Sequence, residues 1–308
     1  KNKFSINKTE KNIIKNIYSK FSTKDALKIK KIEKKINHDV KSIEYYLIEK
    51  FNSTKSLKNK KELIHFCATS EDINNISYAL IFNENKILLI KELDKLIKEI
   101  NFLAKKYSNT PMLSRTHGQK ASPTTFGKEM KVFSSRLKKQ MENIGKRKIY
   151  AKMNGAVGNY NAHNFVLPNI KWDLETKKFL KKIGLYQNEF TTQIENHDWL
   201  AESLNDIIII SGILLDFSKD IWIYIMLDYI KQKNISSEVG SSTMPHKVNP
   251  INFENAEGNL EILIGICQTV SKKLISSRLQ RDLSDSTVLR NIGLIFAYFH
   301  ISATSIQK

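Results

Sequence analysis

Between Asn85 and Tyr107 the apolar positions Ile90, Leu93, Ile97, Ile100 and Ala104 recur at steps of three and four, with lysines and acidic residues opposite. That is the period of an α-helix with one buried face, and it predicts an amphipathic helix over 85–107. The same pattern returns over 124–152, 171–183, 200–232 and 251–276. No stretch alternates apolar and polar residues between turn dipeptides as an extensive sheet requires, so the predicted fold class is all-α. The segment 200–232 departs from simple amphipathicity. Ile207 to Ile210, Leu214, Leu215, Phe217, Ile221, Trp222, Ile225 and Met226 cover much of its circumference, which places such a helix inside a bundle or at an oligomer interface. Its acids Asp216 and Asp220, one turn apart, form either a polar seam, which needs partners, or a strip facing solvent. All five prolines (111, 123, 168, 245 and 250) fall where the periodicity breaks and mark loops and helix starts.

A chain of 308 residues can bury a real core, as one large domain or two of ordinary size. It carries no internal repeat and no low-complexity linker. It begins without methionine and stops just after the apolar stretch "NIGLIFAYFHISATSIQK", so it is expected to be part of a longer chain. Cys67 and Cys267 lie far apart and form no metal-ligand spacing, which argues against a disulfide framework or a zinc site and favours a reducing, cytoplasmic compartment. The N-terminal "KNKFSINKTEKNIIKNIYSK" lacks the apolar core of a secretory signal, and the most apolar run, 207–227, is interrupted by Asp216, Lys219 and Asp220; no membrane span is expected. The net charge of +19 raises the possibility of a nucleic-acid partner. Only six of the 50 basic residues are arginine, however, and the lysines are scattered along helix surfaces, the pattern of solvated faces. No nucleic-acid partner is expected, although the positive field would draw in a small polyanion.

Four polar stretches interrupt the helices: "NHDV" at 37–40, "HFCATSEDI" at 65–73, "SRTHGQKASP" at 114–123 and "SSEVGSSTMPHKVNP" at 236–250. In the last, Gly240 permits a turn after which the amides of Ser241, Ser242 and Thr243 line one concavity, a cradle for a carboxylate or phosphate, with Lys247 adding charge. The competing reading is a serine-rich linker capping the helix that starts near Pro250. His117 offers an imidazole that titrates near neutrality, suited to donating a proton to a leaving group, or else a loop histidine bonded to backbone. Thr69 and Ser70 are hydroxyls suited to a carboxylate, and Ser70 fits equally well as a helix cap ahead of Glu71 and Asp72. Arg278, Arg281 and Arg290 gather near Ser286 and Thr287, for bidentate recognition of an oxyanion or for ion pairs on a helix surface.

The run "GSSTMPHKVNP" at 240–250 resembles the signature of the fumarase/aspartase superfamily, whose members eliminate fumarate from a substituted succinate. Together with "INFENAEGNL", "RTHGQKASPTTFGKEM", "NGAVGNYNAHN", "TTQIENHDW" and "QRDLSDSTVLRN", it makes nearly the whole chain similar to the bacterial adenylosuccinate lyase family. "FENAEGN" and "QRDLSDSTVLRN" favour that branch over argininosuccinate lyases, aspartases and fumarases. The resemblance implies a long central helical bundle shared within a homotetramer, with each site assembled from three chains. It also implies elimination of fumarate from adenylosuccinate, giving AMP, and from succinylaminoimidazole carboxamide ribotide, giving AICAR, without a metal or organic cofactor.

In that scheme Ser241 is the general base and His117 the general acid. Lys247, Asn249, Thr69 and Ser70 hold the succinyl carboxylates, while His38, Asp39, Gln193, Asn255, Arg281, Ser286 and Arg290 bind the nucleotide and orient the substrate. The 236–250 stretch is implied to be a lid that closes over substrate. Residues 1–69 correspond to part of an N-terminal helical domain and 70–308 to the central bundle. The family's extreme N-terminal stretch, with its phosphate-binding arginine, and its C-terminal domain are expected to lie outside this chain. Lys120 stands where relatives commonly carry proline.

Overall fold

The computed structural model describes residues 5–232, 244 and 248–308. It is predominantly helical, as the periodicity predicts. The chain divides into two compact units, one of Lys1–Ala79 with Tyr150–Glu195 and one of Leu80–Ile149 with Asn196–Lys308. None of the described helices is long and apolar enough to cross a membrane.

The first unit opens with α1 (Lys8–Ser19), α2 (Thr23–Ile36) and α3 (Asp39–Asn52). Asn7 with Glu10 and Ser22 with Asp25 form capping boxes on α1 and α2, each satisfying two amide donors that a helix start leaves open. Tyr46 in α3 donates to Asp25 at 2.6 Å, and Lys50 pairs with the same carboxylate at 3.2 Å, so the cap of α2 also ties α2 to α3. Beyond a 3₁₀ turn at Lys58–Leu63, His65 and Cys67 adopt φ values of 58° and 55°. Left-handed backbone at two non-glycine residues so close together stores strain of about 1–3 kcal/mol each and is retained only where the surroundings enforce it. The second half of the unit contains β3 (Tyr150–Ala151), α6 (Asn161–Val166), α7 (Trp172–Lys182) and β4 (Tyr186–Gln187), with β3 and β4 parallel. Gly158, between β3 and α6, has φ 82°, and a Cβ there would sit 2.2 Å from the Thr191 carbonyl oxygen. Only glycine lets that loop lie against the 191–193 backbone.

Helix α4 (Ser70–Lys106) begins in the first unit and continues in the second. Within the predicted 85–107 segment the stripe is wider than the spacing suggests. Leu89, Leu93, Leu96, Ile97, Ile100 and Ala104 are buried, and Ile90 is half-buried at the margin. The second unit continues with β1 (Pro111–Thr116), β2 (Gln119–Thr125), α5 (Phe126–Lys146), α8 (Asp198–Met226), α9 (Ile251–Leu274), α10 (Ser284–Leu289) and α11 (Ile292–Gln307). Helix α8 packs on α5 and α9, and α9 packs on α11. Phe82 meets Trp199 and Phe296 edge-on at 5.3 and 5.4 Å, and Phe133 meets Phe217 at 5.3 Å.

Ile207, Ile210, Leu214, Phe217 and Ile221 line the buried side of α8, while Ile209, Trp222, Ile223 and Met226 are exposed. The apolar circumference read from the sequence thus exceeds what the described residues cover. Asp216 pairs with Arg136 at 2.6 Å on a half-exposed face, while burial, then Asp216 and Glu129, push the Asp220 carboxyl above its ordinary range. Of the two alternatives read from the sequence neither holds for the pair: Asp216 faces solvent with a partner, whereas Asp220 is half-buried. The sequence reading of Pro111 and Pro123 as loop markers is incomplete, because both lie in the antiparallel β1–β2 hairpin. A two-stranded ribbon consists of edges alone, which is where a strand tolerates a residue without an amide hydrogen.

Candidate functional site

In the first unit the organising feature is a buried ion pair. Lys152 and Asp72 are both fully buried and meet at 2.7 Å. The ammonium also donates to the carbonyls of Gly155 (3.1 Å) and Gln193 (2.9 Å). The carboxylate accepts from the amides of Thr69 (2.9 Å), Asn154 (3.2 Å) and Gly155 (3.1 Å). Asn75, one turn further along α4, donates to the Lys152 carbonyl at 3.1 Å and accepts from its amide at 2.9 Å. A charge pair is tolerable in such a place because nearly every donor and acceptor around it is engaged.

The consequence is geometric. One pair of side chains holds the start of α4 with Thr69 and Ser70, the glycine loop at 154–158, and the backbone at Gln193. Asp72 reaches back to the amide of Thr69 as the third helical residue does in a capping box, so the first-turn acid noted in the sequence also anchors a second segment 80 residues away. In the same unit His38 precedes α3 and accepts from the Lys41 amide at 3.3 Å, while Asp39 opens the helix; both are exposed. On that helix Glu44 accepts from Lys41 at 2.8 Å and faces the strained His65 at 3.7 Å.

In the second unit His117 occupies the tip of the β1–β2 hairpin, with φ 54° followed by Gly118 at 73°. Thr116 pairs with Gln119, so these two residues form a two-residue turn with positive φ at both positions, the form that suits the twist of a hairpin. The imidazole is exposed. Arg115 and Lys120, flanking the turn, line a cavity of about 1670 Å³ together with Tyr107, Tyr229, Asn249 and Asn252. Asn255 in α9 donates to Ser305 at 2.7 Å. Ser286 in α10 donates from its hydroxyl to the Leu283 carbonyl at 3.0 Å, and Arg290 follows the same helix. Arg278 pairs with Asp282 at 3.8 Å, the ion-pair alternative for that arginine. Asp282 is held down at about 2, first by the Ser284 hydroxyl, then by the Ser284 amide. Ser241 and Lys247 lie outside the described residues.

His197 is a residue that the sequence reading passed over. It precedes α8 with φ 61° and is buried. A ring nitrogen lies within 4.8 Å of the buried Asp285 carboxylate, next to Ser286. Burial pushes the imidazole down to about 4, opposed by Asp285 and assisted by the Arg281 cation. A histidine held neutral in the folded state and free to protonate near 6.5 when unfolded contributes stability that is complete above about pH 6.5 and is lost as the pH falls toward 4. The full span amounts to about 3 kcal/mol. Melting temperature is expected to fall more steeply between pH 7 and 4.5 in the native sequence than in His197→Asn, whose side chain tolerates the left-handed backbone. Equal slopes would remove His197 from this account.

A family model described as lyase matches residues 4–265, and one described as adenylosuccinate lyase C-terminal matches residues 277–308. The adenylosuccinate lyase of Legionella pneumophila (strain Corby) is 49% identical over 98% of this chain and 66% of its own length. Those of Haemophilus influenzae and Escherichia coli K12 are 48% and 47% identical, each over 95% of this chain and 64% of their own length. The chain therefore spans 64–66% of the length of these curated relatives. Among solved structures, fumarate lyase from Mesorhizobium sp. BNC1 superposes with a TM-score of 0.73 at 18% identity, over 98% of this chain and 65% of that one. The 3-carboxy-cis,cis-muconate lactonizing enzyme from Pseudomonas putida gives 0.75 at 19% identity, over 94% and 63%. At such identities the likeness speaks to the fold, and it is the helical bundle that the sequence resemblance implied.

Proposed function

Because the chain belongs to the lyase family of the fumarase/aspartase superfamily, we propose that the protein eliminates fumarate from adenylosuccinate, leaving AMP, and from succinylaminoimidazole carboxamide ribotide, leaving AICAR. The observation that carries this reading is identity of 47–49% to adenylosuccinate lyases across 95–98% of the chain. Both reactions break a carbon–nitrogen bond β to a carboxylate. Ser241 removes the Cβ proton, the electron pair is held as an aci-carboxylate, and it then forms the double bond of fumarate as the nitrogen leaves with a proton from His117. Lys247 and Asn249 with Thr69 and Ser70 stabilise the succinyl carboxylates, and positioned donors at such an anion lower the barrier by about 3–4 kcal/mol each. His38, Asp39, Gln193, Asn255, Arg281, Ser286 and Arg290 bind and orient the nucleotide.

The working assembly in this reading is a cytoplasmic homotetramer in which each site draws residues from three chains. The exposed apolar residues of α8, Ile209, Ile223 and Met226, support such an assembly. The test is fumarate release, followed by absorbance, from adenylosuccinate, argininosuccinate, aspartate and malate in parallel. Release from adenylosuccinate with competition by AMP is the expected result. Turnover confined to another of the four would replace the reading with that branch of the superfamily.

A further inference from the structure

The His117 turn extends from a two-stranded ribbon, and an isolated hairpin is marginally stable in water. Its surroundings supply a brace. Within β1 the pairing register shifts between Leu113 and Arg115, and such an irregularity re-aims the side chain that follows it. The Arg115 guanidinium donates through Nη1 to the Gly118 carbonyl inside the turn at 2.9 Å and through Nε to the Tyr229 hydroxyl at 3.2 Å. Tyr229 in turn donates to the Leu113 carbonyl at 3.3 Å. Its ring stacks on Tyr224 of α8 at 6.0 Å and 11° between planes, and Tyr224 meets Phe126, the residue that follows β2, edge-on at 6.3 Å. The backbone at Tyr229 is tied down as well, because its amide donates back to the Tyr224 carbonyl at 2.9 Å where α8 ends. The contacts close a circuit: turn, Arg115, Tyr229, Tyr224, Phe126 and back to the hairpin.

We infer that Tyr229 is a positioning residue for His117, acting through Arg115 to hold the two-residue turn in the place from which its imidazole can reach the departing nitrogen. The inference rests on the reading of His117 as the general acid. A proton donor works only within hydrogen-bond reach of the atom it protonates, and loosening the turn therefore lowers the rate of the chemical step while leaving substrate binding intact.

Tyr229→Phe tests this, because it keeps the ring, its stack on Tyr224 and its contact with the guanidinium while removing both hydroxyl hydrogen bonds. The expected result is a fall in kcat of about tenfold, in the range that small misplacements produce. KM should stay within about twofold, since uniform binding is untouched. Melting temperature should be unchanged, and amide hydrogen exchange over 113–120 should be faster. Arg115→Lys, whose compact ammonium lacks the planar fork that spans Gly118 and Tyr229, should give the same split, and the double variant should be no slower than the slower single one. An unchanged kcat in Tyr229→Phe overturns the inference, as does a KM that rises in step with the loss of rate or a lowered melting temperature. Hydrogen exchange needs no substrate, so the two readings fail separately. Faster exchange in a protein that releases no fumarate supports the brace and discards the reaction, whereas unchanged exchange discards the brace whatever the activity.

Discussion

His117→Asn is expected to lower kcat for fumarate release by about 10²–10⁴-fold, the usual contribution of a positioned general acid or base, equivalent to about 3–5 kcal/mol of barrier. Asparagine is the suitable replacement because His117 has φ 54°, a backbone region that asparagine enters readily and most other residues do not. The imidazole is exposed at the tip of the hairpin, so its removal creates no cavity and leaves no buried partner unsatisfied. Melting temperature and oligomeric state should therefore match the native protein, which isolates the chemistry. Ser241→Ala is expected to produce a loss of similar size by leaving the Cβ proton without an acceptor. Steady-state kinetics on adenylosuccinate, with light scattering to verify assembly, would decide the matter. A His117→Asn enzyme turning over at the native rate would mean that another group protonates the leaving nitrogen.

The helices were legible because their signal is local. The 3.6-residue spacing along 171–183 and 251–276 survives into α7 and α9 with ends displaced by at most two residues, whereas that along 85–107 marks only the C-terminal part of α4, which begins 15 residues earlier at Ser70; burying one face decides the structure wherever that face is continuous. The β1–β2 hairpin was not legible. Its strands "PMLSRT" and "QKASPTT" contain two prolines and little alternation, and its turn depends on positive φ at His117, which no composition rule announces. The candidate site divides in the same way. Thr69 and Ser70 stood out as candidates because hydroxyls at a helix start have a narrow range of uses, and α4 does start there, with Thr69 before it and Ser70 as its first residue. Asp72 was visible as a first-turn acid, but its partner was not, since 80 residues separate it from Lys152. A lone lysine between Ala151 and Met153 was the available hint, an expensive charge flanked by apolar residues. His197 was hidden for the opposite reason: burial gives it its character, and one sequence does not display burial.

Lys152→Met is expected to destabilise the protein by about 3–5 kcal/mol, because it strands the Asp72 carboxylate in a place from which water is excluded. The comparison with surface pairs shows why so large a value applies here and not elsewhere. Lys28 and Glu49 also form an ion pair, but with about half of each side chain exposed, and such pairs contribute at most about 1 kcal/mol. Lys152 and Asp72 are at 0% exposure. Removing the ammonium leaves the carboxylate with its three amide donors and no counter-charge, and it frees the carbonyls of Gly155 and Gln193. The same loss releases two segments that the proposed mechanism needs, Thr69–Ser70 and Gln193, so KM for adenylosuccinate should rise wherever enough protein stays folded to assay. Replacing both partners, as Asp72→Asn with Lys152→Met, removes the stranded charge and should recover part of the stability without recovering KM, since the bridge between the segments is still gone. Urea unfolding of the two single variants and the double would measure the coupling. A Lys152→Met protein with native stability would show that the first unit holds its loops together by packing alone, and the ion pair would lose the organising role assigned to it.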